Sequence, residues 1–299
     1  MYPFKLNCAR YVFQSGAPVI MKRTHLKVFK LLIPLVSASL GVLALAVLFL
    51  GAPPAELAAV QNSCVVTVAA ASDLTYAMKD IAADFEKSAA CSVKVSYGSS
   101  GNFETQIENG APFDVFFSAD IEYPRKLEAE GLASPGSTYL YGIGKVILWV
   151  RNDSKLDVSK GLDMLRDPSV KKIAIANPLH APYGRAAEEA LRKAGVYDAI
   201  KDRLVLGENI SQTAEFAETG NANAGILALS LVLSPALKDK GRYFQIPDNL
   251  YSPIQQGAVV VRASKNQQGA QAFLDYIKTP AETAILERYG FVLPGKEKR

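Results

Sequence analysis

Between Val65 and Phe85 the chain changes its hydrophobic period once, and that change limits the fold more than any other feature. Val65, Val66, Val68 and Ala69 to Ala71 form a short apolar run, the pattern of a strand buried on both faces. After Ser72-Asp73, apolar residues return at Leu74, Met78, Ile81 and Phe85, the spacing of an amphipathic helix. Ser72 and Asp73 are both favoured N-cap types. The carboxyl end of a strand therefore delivers a Ser to a helix start, where unpaired N–H groups and the positive dipole end favour an anion. The alternative is that Ser72 only caps its own helix.

The same pattern recurs 28 positions later. Cys91 to Tyr97 reads as a strand, Gly98-Ser99-Ser100-Gly101-Asn102 as its turn, and Phe103 with Ile107 as the apolar pair of a following helix. One βαβ unit then carries Ser72 and Ser100 to the same sheet edge, where ligands of open α/β sheets bind.

Further strand–helix alternation follows. Phe113–Phe117, Val146–Val150, Lys172–Ala176, Leu204–Leu206, Ala224–Leu229 and Ala258–Val261 read as strands. Between them lie helical segments closed by Gly131, Gly195 and Gly220, with a short one over Gly161–Leu165 and a last one carrying Phe273, Tyr276 and Ile277. The pattern is α/β with parallel sheets, and its length suits two lobes. The turns Pro182-Tyr183-Gly184 and Asn209-Ile210-Ser211 would then face Ser72 and Ser100 across a cleft; the plainer reading is that they only connect elements.

The N-terminal region stands apart. Leu31 to Leu50 has no charge and follows Lys22, Arg23, His25, Lys27 and Lys30, the layout of an export signal that would start at Met21 and be cleaved near Ala59. It is also long enough to remain as a membrane anchor. Residues 1–59 hold six of the 33 Lys and Arg but only one of the 29 Asp and Glu, so the rest carries 27 basic and 28 acidic residues. The basicity belongs to the leader, and nucleic acid is not an expected partner.

Cys64 and Cys91 begin the two neighbouring strands, within disulfide reach in an oxidising compartment; two unrelated small buried residues are the alternative. His180 is the single histidine after the leader, and its Pro-flanked loop suits a structural hydrogen bond better than a catalytic base. Gly98-Ser99-Ser100-Gly101 lacks nucleophile-elbow spacing, and no phosphate-binding glycine motif appears. Catalysis is not expected.

The ordered stretches Ala69–Leu74 (AAASDL), Gly98–Gly101 (GSSG), Gly110–Asp120 (GAPFDVFFSAD), Ala176–Gly184 (ANPLHAPYG), Glu208–Gln212 (ENISQ) and Glu287–Phe291 (ERYGF) resemble the periplasmic molybdate-binding proteins of ABC transporters. The resemblance spans Val65 to Leu293 and implies a type II periplasmic binding protein fold, two Rossmann-like lobes joined by crossover strands. It implies lobe 1 over 61–142 plus 252–299 and lobe 2 over 143–251, with the leader or anchor described above taking 1–60. It assigns ligand contacts to Ser72 and Ser100, each through hydroxyl and backbone N–H, and to the backbone N–H groups of Tyr183 and Ile210. The Asp73 carboxylate is expected to turn away, into the helix cap.

Some members place a Tyr hydroxyl on the oxyanion where this chain has Ala228, and the Tyr183 hydroxyl is a candidate to replace it. The implied ligand is molybdate or tungstate, with no cofactor or protein-bound metal. The implied partner is a membrane permease, and the protein is periplasmic and monomeric. Sulfate is the nearest alternative ligand; an enzyme on the same fold is the more distant one. Arg185, after Gly184, is the one cation beside these turns.

Overall fold

The computed structural model describes residues 64–296. The leader or anchor expected over residues 1–60, with Leu31–Leu50 and the cleavage near Ala59, lies outside the described residues. Among those described, no helix is long and apolar enough to cross a membrane.

The first sheet is built from β1 (Cys64–Ala71), β2 (Cys91–Gly98), β3 (Val115–Ser118) and β4 (Tyr139–Gly144). A 3-10 turn (Ser72–Leu74) and α1 (Thr75–Ser88) link the first pair; α2 (Ser100–Glu108) and α3 (Glu122–Ala129) follow β2 and β3. Past Lys145 a second sheet begins with β5 (Val146–Arg151), β6 (Ile173–Ala176), α4 (Pro182–Lys193), a short α5 (Tyr197–Ile200) and β7 (Leu204–Gly207). It continues with α6 (Ile210–Glu218), β8 (Ala224–Ala228), a short α7 (Leu229–Val232) and β9 (Gly241–Gln245). The chain then returns to the first sheet as β10 (Ile254–Val260), followed by α8 (Gln267–Ile277) and α9 (Pro280–Arg288).

The strand orders are β2-β1-β3-β10-β4 and β7-β6-β8-β5-β9. Both sheets are mixed, which corrects the expectation of parallel sheets. β10 runs antiparallel to β3 and β4, and β5 antiparallel to β8 and β9. These are the strands next to the points where the chain leaves one sheet and comes back, so they are not the products of βαβ crossovers. β4 and β9 were not anticipated: Gly142 and Gly144 interrupt the first, and the second is a half-exposed edge.

Both faces of the first sheet are covered. Val66, Val68 and Ala70 pack with Leu74, Met78, Ile81, Phe85 and Phe273, whereas Ala69, Phe116 and Val259 pack with Phe103 and Leu127. All four residues of the apolar stripe Leu74, Met78, Ile81 and Phe85 are buried, each contributing about 1.5–3 kcal/mol on removal from water. β1 and β2 pair in parallel with Cys64 opposite Cys91, and a disulfide joins the two, their Cα atoms 4.4 Å apart.

Candidate functional site

Every residue marked as a candidate stands at the start of a helix or turn. Ser72 opens the 3-10 turn after β1, Ser100 opens α2, Tyr183 is the second residue of α4 and Ile210 the first of α6. First-turn N–H groups have no intrahelical acceptor, so each position offers a donor. All four residues are buried.

The two lobes meet at these turns. The Ser72 hydroxyl donates to Asn209 Oδ1 at 3.2 Å and accepts from the Ser211 N–H at 3.3 Å. Ser211 Oγ donates to the Ser72 carbonyl at 2.9 Å. Ser72 is thus not the side-chain cap of its own helix; no cap bond forms there, and its hydroxyl reaches the opposite lobe instead. Asn209 is the cap on that side, accepting from the N–H groups of Ser211 and Gln212 at 3.0 Å. A groove of about 350 Å³ opens beside this contact, lined by Ser72, Thr75, Tyr97, Asn209 and Ser211; Ser100, Tyr183 and Ile210 do not border it.

Ser100 and its neighbours meet the other loop of the second lobe. The Gly101 N–H donates to the His180 carbonyl at 3.0 Å, and Ser99 Oγ pairs with His180 Nδ1 at 2.9 Å. At the rim, Asn102 Nδ2 donates to Glu208 Oε1 at 2.6 Å, with His180 Nε2 3.7 Å from the same oxygen. His180 is therefore a structural hydrogen-bonder, and it joins the lobes. Ser100 Oγ accepts from the Ala119 N–H at 2.9 Å, which leaves its own proton available to a ligand. Arg185 does not present a free cation: Nη2 pairs with Asp120 Oδ2 at 2.6 Å and Nη1 donates to Tyr123 Oη at 3.1 Å.

Behind Ser72 lies a buried polar cluster that the sequence did not disclose. Tyr141 Oη donates to Gln256 Oε1 at 2.7 Å, and Gln256 Nε2 donates to Asp73 Oδ2 at 2.7 Å and to Tyr183 Oη at 3.0 Å. Gly144 makes room for the Tyr183 hydroxyl, because any side chain there would collide with it. The expectation that the Asp73 carboxylate serves a helix cap is corrected. It turns into this cluster, and among the described residues Oδ1 makes no hydrogen bond of good geometry. Burial pushes the Asp73 carboxyl up to about 6, with Gln256 and then Tyr183 drawing it part of the way back. Burial, reinforced by Asp73, holds the Tyr183 hydroxyl well above its ordinary range, so it stays protonated. That hydroxyl, the candidate to replace a Tyr at Ala228, is engaged by Gln256. Ala228 ends β8 fully buried, and two residues on, Ser230 Oγ donates to the Asp73 carbonyl at 2.8 Å.

Taken together, the arrangement gathers neutral donors from both lobes on one interface. Such donors hold a desolvated anion well, since hydrogen bonds to a charged partner are about twice as strong as neutral ones.

Comparison with known proteins points the same way. A model of the bacterial extracellular solute-binding protein family matches residues 66–292. The molybdate-binding protein ModA of Azotobacter vinelandii is 41% identical over 237 residues, covering 79% of this chain and 93% of that protein. The Rhodobacter capsulatus molybdate-binding protein ModA is 42% identical over 227 residues, covering 76% and 88%. The structure of an Azotobacter vinelandii periplasmic molybdate-binding protein superposes with a TM-score of 0.73 at 35% identity, over 77% of this chain and 99% of the other.

Proposed function

The chain belongs to the bacterial extracellular solute-binding protein family, and from that premise we propose that it captures molybdate or tungstate outside the cytoplasm and delivers it to an ABC importer. The observation that carries the reading is the bonding of helix starts across the lobes: the Ser72 turn to the Asn209 cap of α6, and the start of α2, through Gly101, to the His180 loop that precedes α4. In this reading Ser100 donates through hydroxyl and N–H, Ser72 does the same once its hydroxyl proton leaves Asn209 Oδ1 for the ligand, and Tyr183 and Ile210 donate through N–H alone. The protein acts as a monomeric carrier without cofactor or catalytic step. Its partner is the membrane permease, and the apolar stretch Leu31–Leu50 directs export or anchors the chain.

A closed ring of neutral donors selects by size rather than by charge, so the larger tetrahedral dianions are favoured over sulfate. Melting temperature recorded with molybdate, tungstate and sulfate added separately tests this. Ligand at a hundredfold excess over its dissociation constant stabilises the native state by about 2.7 kcal/mol. Molybdate at micromolar concentration is expected to raise the transition, with sulfate at a hundredfold higher concentration leaving it in place. Equal responses to sulfate would overturn the assignment.

A further inference from the structure

Asp73 is the neighbour of Ser72, yet it places a carboxylate, fully buried, behind a site proposed to receive a dianion. Its Oδ2 accepts from Gln256 Nε2, the Tyr183 hydroxyl faces the same carboxyl, and its carbonyl is held by Ser230 Oγ. The titratable groups that face it are Tyr183 from α4 and Tyr141 from β4, both acids that burial keeps neutral. Gln256 from β10 and Ser230 from α7 are uncharged. Among the described residues no salt bridge to Asp73 forms, so nothing cationic offsets its charge.

Two negative groups one residue apart in a water-poor interface repel strongly, and the cheaper adjustment is a proton on the carboxyl. Building on the oxyanion reading above, we propose that Asp73 is a proton-linked positioning residue: capture of the dianion at Ser72 is accompanied by uptake of one proton from solvent onto the Asp73 carboxyl. The ligand remains a dianion and no bond to it is made or broken. Asp73 does not touch the ligand; it holds the Ser72 turn through Gln256 and the Ser230 contact while shedding its own charge. Its carboxyl is already raised to about 6 before any ligand arrives, so the proton costs little near neutrality.

The sign follows from linkage. If binding takes up a proton, affinity is highest where Asp73 is already protonated. It falls as pH rises above about 6, by up to roughly tenfold per pH unit, until the carboxyl of the complex also ionises.

Calorimetric titration of the full protein with molybdate at about pH 7, in two buffers of different ionisation enthalpy, counts the protons exchanged. The wild type is expected to take up close to one proton per molybdate, and Asp73→Asn close to none, with its dissociation constant flat across the same pH range. Because Asp73→Asn alters a buried cluster, the wild-type dissociation constant measured from about pH 5.5 to pH 8.5 reads the same linkage without substitution. Measurable binding with no proton uptake, or unchanged uptake in Asp73→Asn, overturns this inference alone. A wild type that gives no molybdate heat at all overturns the oxyanion reading, and this inference with it.

Discussion

Ser72 and Asn209, 137 positions apart, share a 3.2 Å hydrogen bond that ties the first turn of one lobe to the helix cap of the other. The same Asn209 oxygen accepts from two N–H groups of α6. One side chain thus orders an anion-facing helix start and links the lobes, and substitution separates these contacts from its lack of charge.

Asn209→Asp keeps an N-cap of equal quality and an acceptor for Ser72, but adds a negative charge among the donors. We expect a melting temperature close to wild type and a molybdate affinity at least about a hundredfold weaker, since like charges at close range cost several kcal/mol in a low-dielectric site. Asn209→Ala should lose about 1 kcal/mol of stability as well. Normal binding by the Asp variant would place Asn209 away from the ligand.

Ser100→Ala removes a buried hydroxyl that accepts from the Ala119 N–H. The orphaned N–H costs about 1–3 kcal/mol of stability, and a lost donor to a dianion about 1.5–3 kcal/mol of binding, a ten- to hundredfold rise in dissociation constant. Ser99→Ala is not an inert control, because Ser99 pairs with His180. Its effect should be smaller, about 0.5–1.5 kcal/mol, and confined to closure of the lobes. Titration calorimetry on both variants gives the order; stronger loss in Ser99→Ala would reverse the assignment of the turn.

Gly101 lies where a side chain would stand 2.9 Å from the His180 carbonyl and 3.0 Å from Tyr123 Oη. Gly101→Ala should therefore hold the lobes apart. Small-angle scattering is expected to show no contraction on adding molybdate, with affinity down by about tenfold or more and each lobe still folded. Ligand-induced contraction equal to wild type would show that the contact yields.

The Asp73 carboxyl is raised from 3.8 to about 6 on folding, so its sign on stability is the reverse of the common acid. A raised acid favours the native state in its protonated form: that contribution is whole below about pH 4 and lost as pH climbs through about 6. Asp73→Asn, without ligand, should consequently gain stability over wild type at about pH 8, by up to roughly 3 kcal/mol, and much less at about pH 4. Chemical denaturation at the two pH values measures this; an equal difference at both would show that the carboxyl does not titrate in this window.

The Cys64–Cys91 bridge closes a loop of 27 residues, for which chain entropy gives about 3.5 kcal/mol. Protease digestion without reductant should release the two peptides linked, and Cys64→Ser with Cys91→Ser should lower the melting temperature. Free thiols in exported protein would count against the bridge.

The alternation of strand and helix was legible in the chain because each element carries its own period. Val66, Val68 and Ala70 mark β1, and Leu74, Met78, Ile81 and Phe85 mark α1, through contacts a few residues long. The placing of Ser72, Ser100, Tyr183 and Ile210 at helix starts was equally local. What those residues bond to was not. Ser72 and Asp73 both read as caps, yet one reaches Asn209 and the other Gln256, 183 positions away, and neither caps a helix. Short-range preference describes a polar side chain only while water or its own turn is the competing partner. Once the lobes close and exclude water, Ser72 takes the Asn209 cap that α6 presents and Asp73 the Gln256 that the antiparallel return of β10 brings alongside, and both are decided by the tertiary fold.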